Sequence, residues 1–144
     1  MLYVMCGLPA SGKTTLARQI EVEKHCVRYS FDEFEGSNTP VVWKESFKLF
    51  CQNISDDLSH GKDVVCDALL TDVERRQKLL SSLEGVKCDK TIIVVNTDFE
   101  ECLKRNEQRG DCKTDTLMMK VLYLTFQTPT LDEGWDEIIY YKGE

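Results

Sequence analysis

Gly7-Leu8-Pro9-Ala10-Ser11-Gly12-Lys13-Thr14-Thr15 follows the apolar run Leu2-Tyr3-Val4-Met5-Cys6 and leads into a segment whose Leu16 and Ile20 are four apart. Residues 7–14 match G-x-x-x-x-G-K-[ST], and a strand before and a helix after are the context in which that pattern becomes a phosphate-binding loop. The glycines let main-chain N–H groups turn inward around phosphate oxygens, while the N-terminus of the following helix adds the positive end of its dipole. Lys13 then supplies a cation for the β- and γ-phosphates of ATP, and Thr14 a hydroxyl for Mg²⁺. The expected cradle is Gly7, Leu8, Pro9, Ala10, Ser11, Gly12, Lys13, Thr14 and Thr15.

Beyond the loop, apolar runs of strand length recur at Leu2–Cys6, Cys26–Tyr29, Val64–Cys66, Thr91–Val95 and Glu137–Tyr141, with helical spacing between them. The first helix reads to about Glu23. A second carries Trp43, Phe47, Phe50, Ile54 and Leu58 on one face and stops at Gly61, and those aromatics read as core. A third covers Thr71 to Leu83. Asp98 with Glu101 three residues on is a capping-box pattern for a fourth, running through Leu103 toward Arg109 and Gly110. The last starts at Thr114 or Asp115 and cannot pass Pro129. Strands alternating with helices predict an α/β, three-layer P-loop NTPase fold: a five-stranded, mostly parallel sheet, helices on both faces and a helical lid, with ligands at the carboxyl ends of the strands. The 144 residues suit one domain, residues 1–144.

With 42% hydrophobic and 30% charged residues the chain has the balance of a soluble globular protein. It has no apolar stretch of membrane-spanning length and no secretory leader at its start, so a cytoplasmic location with no membrane partner is expected. The net charge of −7 opposes nucleic-acid binding through a broad basic groove, which depends on phosphate neutralisation. A small basic patch at one hydroxyl remains compatible with it. The seven cysteines, Cys6, Cys26, Cys51, Cys66, Cys88, Cys102 and Cys112, form no CxxC pair and read as reduced thiols.

Two acidic residues close other strands. Asp32 follows Val27-Arg28-Tyr29-Ser30-Phe31, and Asp67 follows Val64-Val65-Cys66. A wrapped parallel sheet brings both to the edge that carries the loop. Asp67 is the candidate for the Mg²⁺ shell, and Asp32 for the base that orients or deprotonates an attacking hydroxyl; a turn or helix cap is the alternative for each. Arg105 and Arg109, four apart on one helix face, are candidates for the transferring phosphoryl group, where an arginine closing from a lid contributes on the order of 10³-fold or more.

The string GLPASGKTTLAR, Ser30-Phe31-Asp32-Glu33, Cys66-Asp67 followed by Glu74-Arg75-Arg76, Cys102-Leu103-Lys104-Arg105-Asn106 with Arg109-Gly110, and Pro129 with Glu133-Gly134-Trp135-Asp136-Glu137-Ile138 together resemble the kinase module of the phage polynucleotide kinase family. The resemblance covers nearly the whole chain. It implies that Asp32 is the general base toward a 5′-hydroxyl and that Arg109 is a lid residue on the donor phosphates. Where that family has an arginine three residues after the base, holding the acceptor's phosphate, this sequence has Glu35, which repels a phosphodiester. The phage enzymes also carry a phosphatase domain not contained in these residues, so the resemblance implies a separate phosphatase or ligase partner.

The sequence thus points to a phosphotransferase using ATP and Mg²⁺, with Lys13, Asp32, Arg105 and Arg109 catalytic and a polynucleotide 5′-hydroxyl as first-choice acceptor. Rival acceptors are a hydroxymethylated base in DNA, a tRNA of the seryl-tRNA kinase type, and a nucleoside or other small molecule. A nucleotide-binding switch is the reading from outside the enzymes.

Overall fold

The computed structural model describes residues 1–31, 40–110 and 113–142, with only the backbone described at 40–43. Asp32, Glu35, Cys112 and the side chain of Trp43 therefore lie outside the described residues. In chain order the elements are β1 (Leu2–Cys6), α1 (Lys13–Glu23), β2 (Val27–Ser30), α2 (Pro40–Ser59), β3 (Val64–Asp67), α3 (Val73–Ser81), β4 (Lys90–Val95), α4 (Phe99–Glu107), α5 (Thr116–Leu124), a 3₁₀ turn (Leu131–Glu133) and β5 (Glu137–Tyr141).

The strands form one sheet of order β2-β3-β1-β4-β5, and all four pairings are parallel. The three central strands are continuous apolar runs, because a parallel sheet is covered on both faces and has no side to give to water. Alternation sorts their side chains. Leu2, Val4, Cys6, Val64, Cys66, Ile92 and Val94 pack toward Phe47, Phe50 and Ile54 of α2, Leu79 of α3 and Trp135. Met5, Val65, Ile93 and Val95 pack toward Ala17 and Ile20 of α1. A smaller cluster of Leu8, Cys102 and Met119 joins the phosphate-binding loop to α4 and α5. Among the described residues no helix is long and apolar enough to cross a membrane.

The aromatic stripe of α2 is core, as its spacing predicts: Phe47 and Phe50 meet Phe31 edge-on at 5.4 and 5.2 Å between ring centres. Tyr29 Oη donates to Asp57 Oδ2 at 2.6 Å. Burial, reinforced by that carboxylate, pushes the Tyr29 phenol up to about 12. Burial likewise pushes the Cys6 thiol up to about 11 and that of Cys51 to about 12, so both act as small apolar groups.

Two helix boundaries and one cap differ from expectation. α3 starts at Val73 and not Thr71, because the Asp72 carboxylate caps it by accepting from Arg75 N at 2.7 Å. α4 ends at Glu107, and residues 108–110 turn out of it with Gly110 at φ +62°. The capping box expected at Asp98 is absent. Asp98 sits at the N-cap but its side chain accepts no cap hydrogen bond. The box forms instead at Thr130 and Glu133, where Glu133 also has a buried partner to meet.

Candidate active site

The loop between β1 and α1 is shaped by steric limits that its sequence respects. A Cβ at Gly7 would lie 2.8 Å from Ser11 Oγ and 3.0 Å from Val95 O, so only glycine lets the loop close on β4. Gly12 has φ +101° and Ala10 φ +64°; these left-handed residues turn successive N–H groups to one side, as in an anion nest. Gly12 is also the N-cap of α1 and offers no side-chain cap. The first N–H groups of that helix therefore remain available to an anion.

These elements open onto a cleft of ≈ 610 Å³ at the carboxyl ends of the strands, a size suited to a nucleotide. Pro9, Ala10, Gly12, Lys13, Thr14 and Thr15 form its base, Asp67, Ala68 and Leu69 one wall, and Arg105, Arg109, Thr114, Met118 and Leu122 the other. Of the residues expected from sequence, the structure brings Lys13, Thr14, Asp67, Arg105 and Arg109 to this one space. Gly7, Leu8 and Ser11 lie beneath it as buried supports of the loop.

Thr14 Oγ1 donates to Asp67 Oδ2 at 2.6 Å, and Lys13 Nζ stands 3.8 Å from Asp67 Oδ1. Asp67 is 4% exposed and Lys13 9%, so these are charges at the bottom of a cleft rather than a surface pair. A hydroxyl and a carboxylate so close form a hard oxygen pair of the kind Mg²⁺ takes, with phosphate oxygens and water completing its shell. Among the described residues no three His, Cys, Asp or Glu side chains gather to hold an ion by themselves. The donor set thus fits a metal that arrives with a phosphate.

Arg105 lies beside the loop. Its Nε meets Glu101 Oε1 at 3.2 Å and its Nη1 donates to the Ser11 carbonyl at 3.4 Å. Thr97 Oγ1 donates to the same Ser11 carbonyl at 2.6 Å, a support with no signal in the sequence. Asn106, 1% exposed, donates from Nδ2 to Thr114 O at 2.6 Å and accepts from Thr114 N at 2.8 Å. This single side chain clips α4 to the start of α5, and Phe99 stacked on Tyr123 at 4.3 Å joins the two helices further along.

A parallel five-stranded sheet of this order, with a phosphate-binding loop after its central strand and arginines on and just after the helix beyond β4, defines a P-loop kinase-like fold. The chain belongs to the AAA domain family, whose model matches residues 2–122. Solved structures of similar fold include a sugar kinase from Janibacter sp., with a TM-score of 0.76 and 14% identity over 98% of this chain and 84% of that one. Kti12 of Chaetomium thermophilum in complex with ADP-AlF3 gives a TM-score of 0.74 and 17% identity over 99% of this chain and 89% of that one. A chain of the Pnkp1/Rnl/Hen1 RNA repair complex gives 0.72 and 22% identity over 86% of this chain, which spans 42% of that one. At such identities the likeness is one of fold. A search of curated protein sequences gave no match.

Proposed function

We propose that the protein is an ATP- and Mg²⁺-dependent kinase that transfers the γ-phosphoryl group to a hydroxyl, with the 5′-hydroxyl of a polynucleotide as acceptor. The reading is carried by one observation: Lys13, the Thr14–Asp67 pair, Arg105 and Arg109 border the same cleft. In this reading loop N–H groups and Lys13 hold the β- and γ-phosphates. Thr14 and Asp67 hold Mg²⁺, which when bound neutralises the charge between those phosphates. Arg105 exchanges the Ser11 carbonyl for a phosphoryl oxygen, and Arg109 meets the charge that grows on the transferring group. Asp32 accepts the proton of the attacking hydroxyl.

The polynucleotide acceptor rests on the resemblance carried by the Ser30-Phe31-Asp32-Glu33 and Glu133-Gly134-Trp135 stretches. A small hydroxyl compound is the second reading, favoured by Glu35 and the net charge of −7. The protein would act in the cytoplasm as one domain, and in end repair beside a separate phosphatase or ligase. Incubation with γ-labelled ATP, Mg²⁺ and a panel of 5′-hydroxyl DNA and RNA, hydroxymethylated DNA, tRNA, nucleosides and sugars tests all of this. Label on 5′-hydroxyl oligonucleotides is the expected result. Label on a small molecule moves the acceptor, and ATP binding without labelling makes the protein a nucleotide-binding switch.

A further inference from the structure

The largest fully buried side chain among the described residues is a charged one, Arg76. An isolated guanidinium in a core is prohibitively costly, so its partners must account for it. Nε and Nη2 donate to Glu133 Oε1 and Oε2 at 2.8 and 3.2 Å, and Nη1 donates to the Leu70 carbonyl at 2.9 Å. Glu133 in turn accepts from Trp135 Nε1 at 3.1 Å and from Thr130 N at 3.1 Å. One carboxylate thus gathers a helix, a capping box and Trp135, two residues before β5.

The other end of this network is the cleft wall. The Leu70 carbonyl also accepts from Cys6 Sγ at 3.2 Å, directly before the phosphate-binding loop. Arg75 Nη1 donates to the Leu69 carbonyl at 3.3 Å. Two successive arginines of α3 therefore take two successive carbonyls of the segment after Asp67, the segment whose Ala68 and Leu69 line the cleft. The chain after α5 binds the same loop again: Gln127 N donates to Thr71 O at 2.8 Å, and Gln127 Oε1 accepts from Val73 N at 2.9 Å.

Sheet order separates this wall from the arginines. The segment 68–71 leaves β3, on the β2 side of β1, whereas Arg105 and Arg109 follow β4, on the other side. In-line transfer requires donor and acceptor to approach the moving phosphoryl group from opposite sides. With the arginines on the donor, the Ala68–Leu69 wall faces the acceptor.

We infer that Arg76 and Glu133 are positioning residues for the hydroxyl acceptor, bracing the Ala68–Leu70 wall through the chain that follows α5. This rests on the kinase reading for what the wall contacts, but the brace itself can be measured without catalysis. The variants are Glu133→Gln, which keeps the shape and removes the charge, and Trp135→Phe, which removes one donor to Glu133 and leaves the ring packed. Hydrogen exchange followed by mass spectrometry should show amides of residues 68–71 exchanging about 10-fold faster or more in folded Trp135→Phe, with α1 and β1 unchanged. With a 5′-hydroxyl oligonucleotide, acceptor KM should rise about 5-fold or more while KM for ATP stays within about 2-fold. An exchange increase spread evenly over the protein, or none at 68–71, overturns the brace even if no acceptor is ever found. Equal rises in both KM values overturn the assignment to the acceptor. Should wild type label nothing, the kinase reading falls and the exchange comparison alone decides the brace.

Discussion

Asp67 is nearly buried beside Lys13, whose ammonium stands 3.8 Å from its Oδ1. Removing Lys13 leaves a carboxylate that is 4% exposed with Thr14 as its remaining polar contact in the cleft. Lys13→Ala should abolish phosphoryl transfer and also cost about 1–2 kcal/mol of apo stability, less than a sealed pair loses because the cleft admits water. Adding Asp67→Asn to Lys13→Ala should restore the melting temperature and leave activity absent. If instead Lys13→Ala retains turnover, the loop does not hold a reacting phosphate. For Arg109, which lines the cleft and in the proposed function meets charge that grows in the transition state, Arg109→Ala should lower kcat by about 10²-fold or more with ATP affinity within a few-fold. A fall in affinity alone makes Arg109 a ground-state contact. Asp32→Asn should leave ATP binding within a few-fold and cut acceptor labelling by about 10²-fold or more, the range for loss of a positioned base. Wild-type labelling by that variant sends the search for the base elsewhere.

At the scale of elements, the cleft's precision comes from short connections fixed by single side chains. Asp72 starts α3 and so sets where Arg75 and Arg76 fall; Asp72→Ala should cost about 1 kcal/mol by chemical denaturation. Asn106 makes two hydrogen bonds to the Thr114 main chain. Asn106→Ala should cost about 1–3 kcal/mol and raise exchange at the start of α5, while Asn106→Asp recovers only the bond from Thr114 N. These connections mark where sequence reading ends. The phosphate-binding loop is legible because a local pattern encodes its backbone, and the strands because both faces of a parallel sheet demand unbroken apolar runs. Arg105 and Arg109 are legible as cleft residues, although the helix face expected to carry both ends at Glu107 and Arg109 reaches the cleft from the turn that follows. Thr97, Asn106 and the Arg76–Glu133 pair are not, since each partner lies on an element whose approach is fixed only by folding. Glu74-Arg75-Arg76 and Glu133-Gly134-Trp135 stand out in the sequence, but nothing local says that they meet. The Asp98 capping box misleads for the opposite reason: a correct local signal at a helix start whose carboxylate finds no N–H to accept.

Across the whole molecule, the Arg76–Glu133 pair makes stability depend on acid. Burial would raise the Glu133 carboxyl, but hydrogen bonds from Arg76 and Trp135, with the guanidinium charge, hold it below the usual carboxylate range. A depressed folded-state value adds stability above the ordinary carboxylate range, and that contribution disappears as pH falls through the folded value. The melting temperature of wild type should therefore exceed that of Glu133→Gln most near neutrality, and the gap should narrow as pH drops below about 4.5. A constant gap across that range would mean that charge on Glu133 contributes nothing. The same pair also orders events in time. A chain leaves the ribosome from its N-terminus, and domains fold as units as they emerge. The three central strands and α3 are complete once Val95 is made, yet among the described residues the carboxylate paired with the guanidinium they enclose is Glu133, translated later. A nascent chain stalled before that point lacks the carboxylate that takes Arg76 Nε and Nη2 in the finished core, so burying Arg76 has to wait for the segment leading into β5.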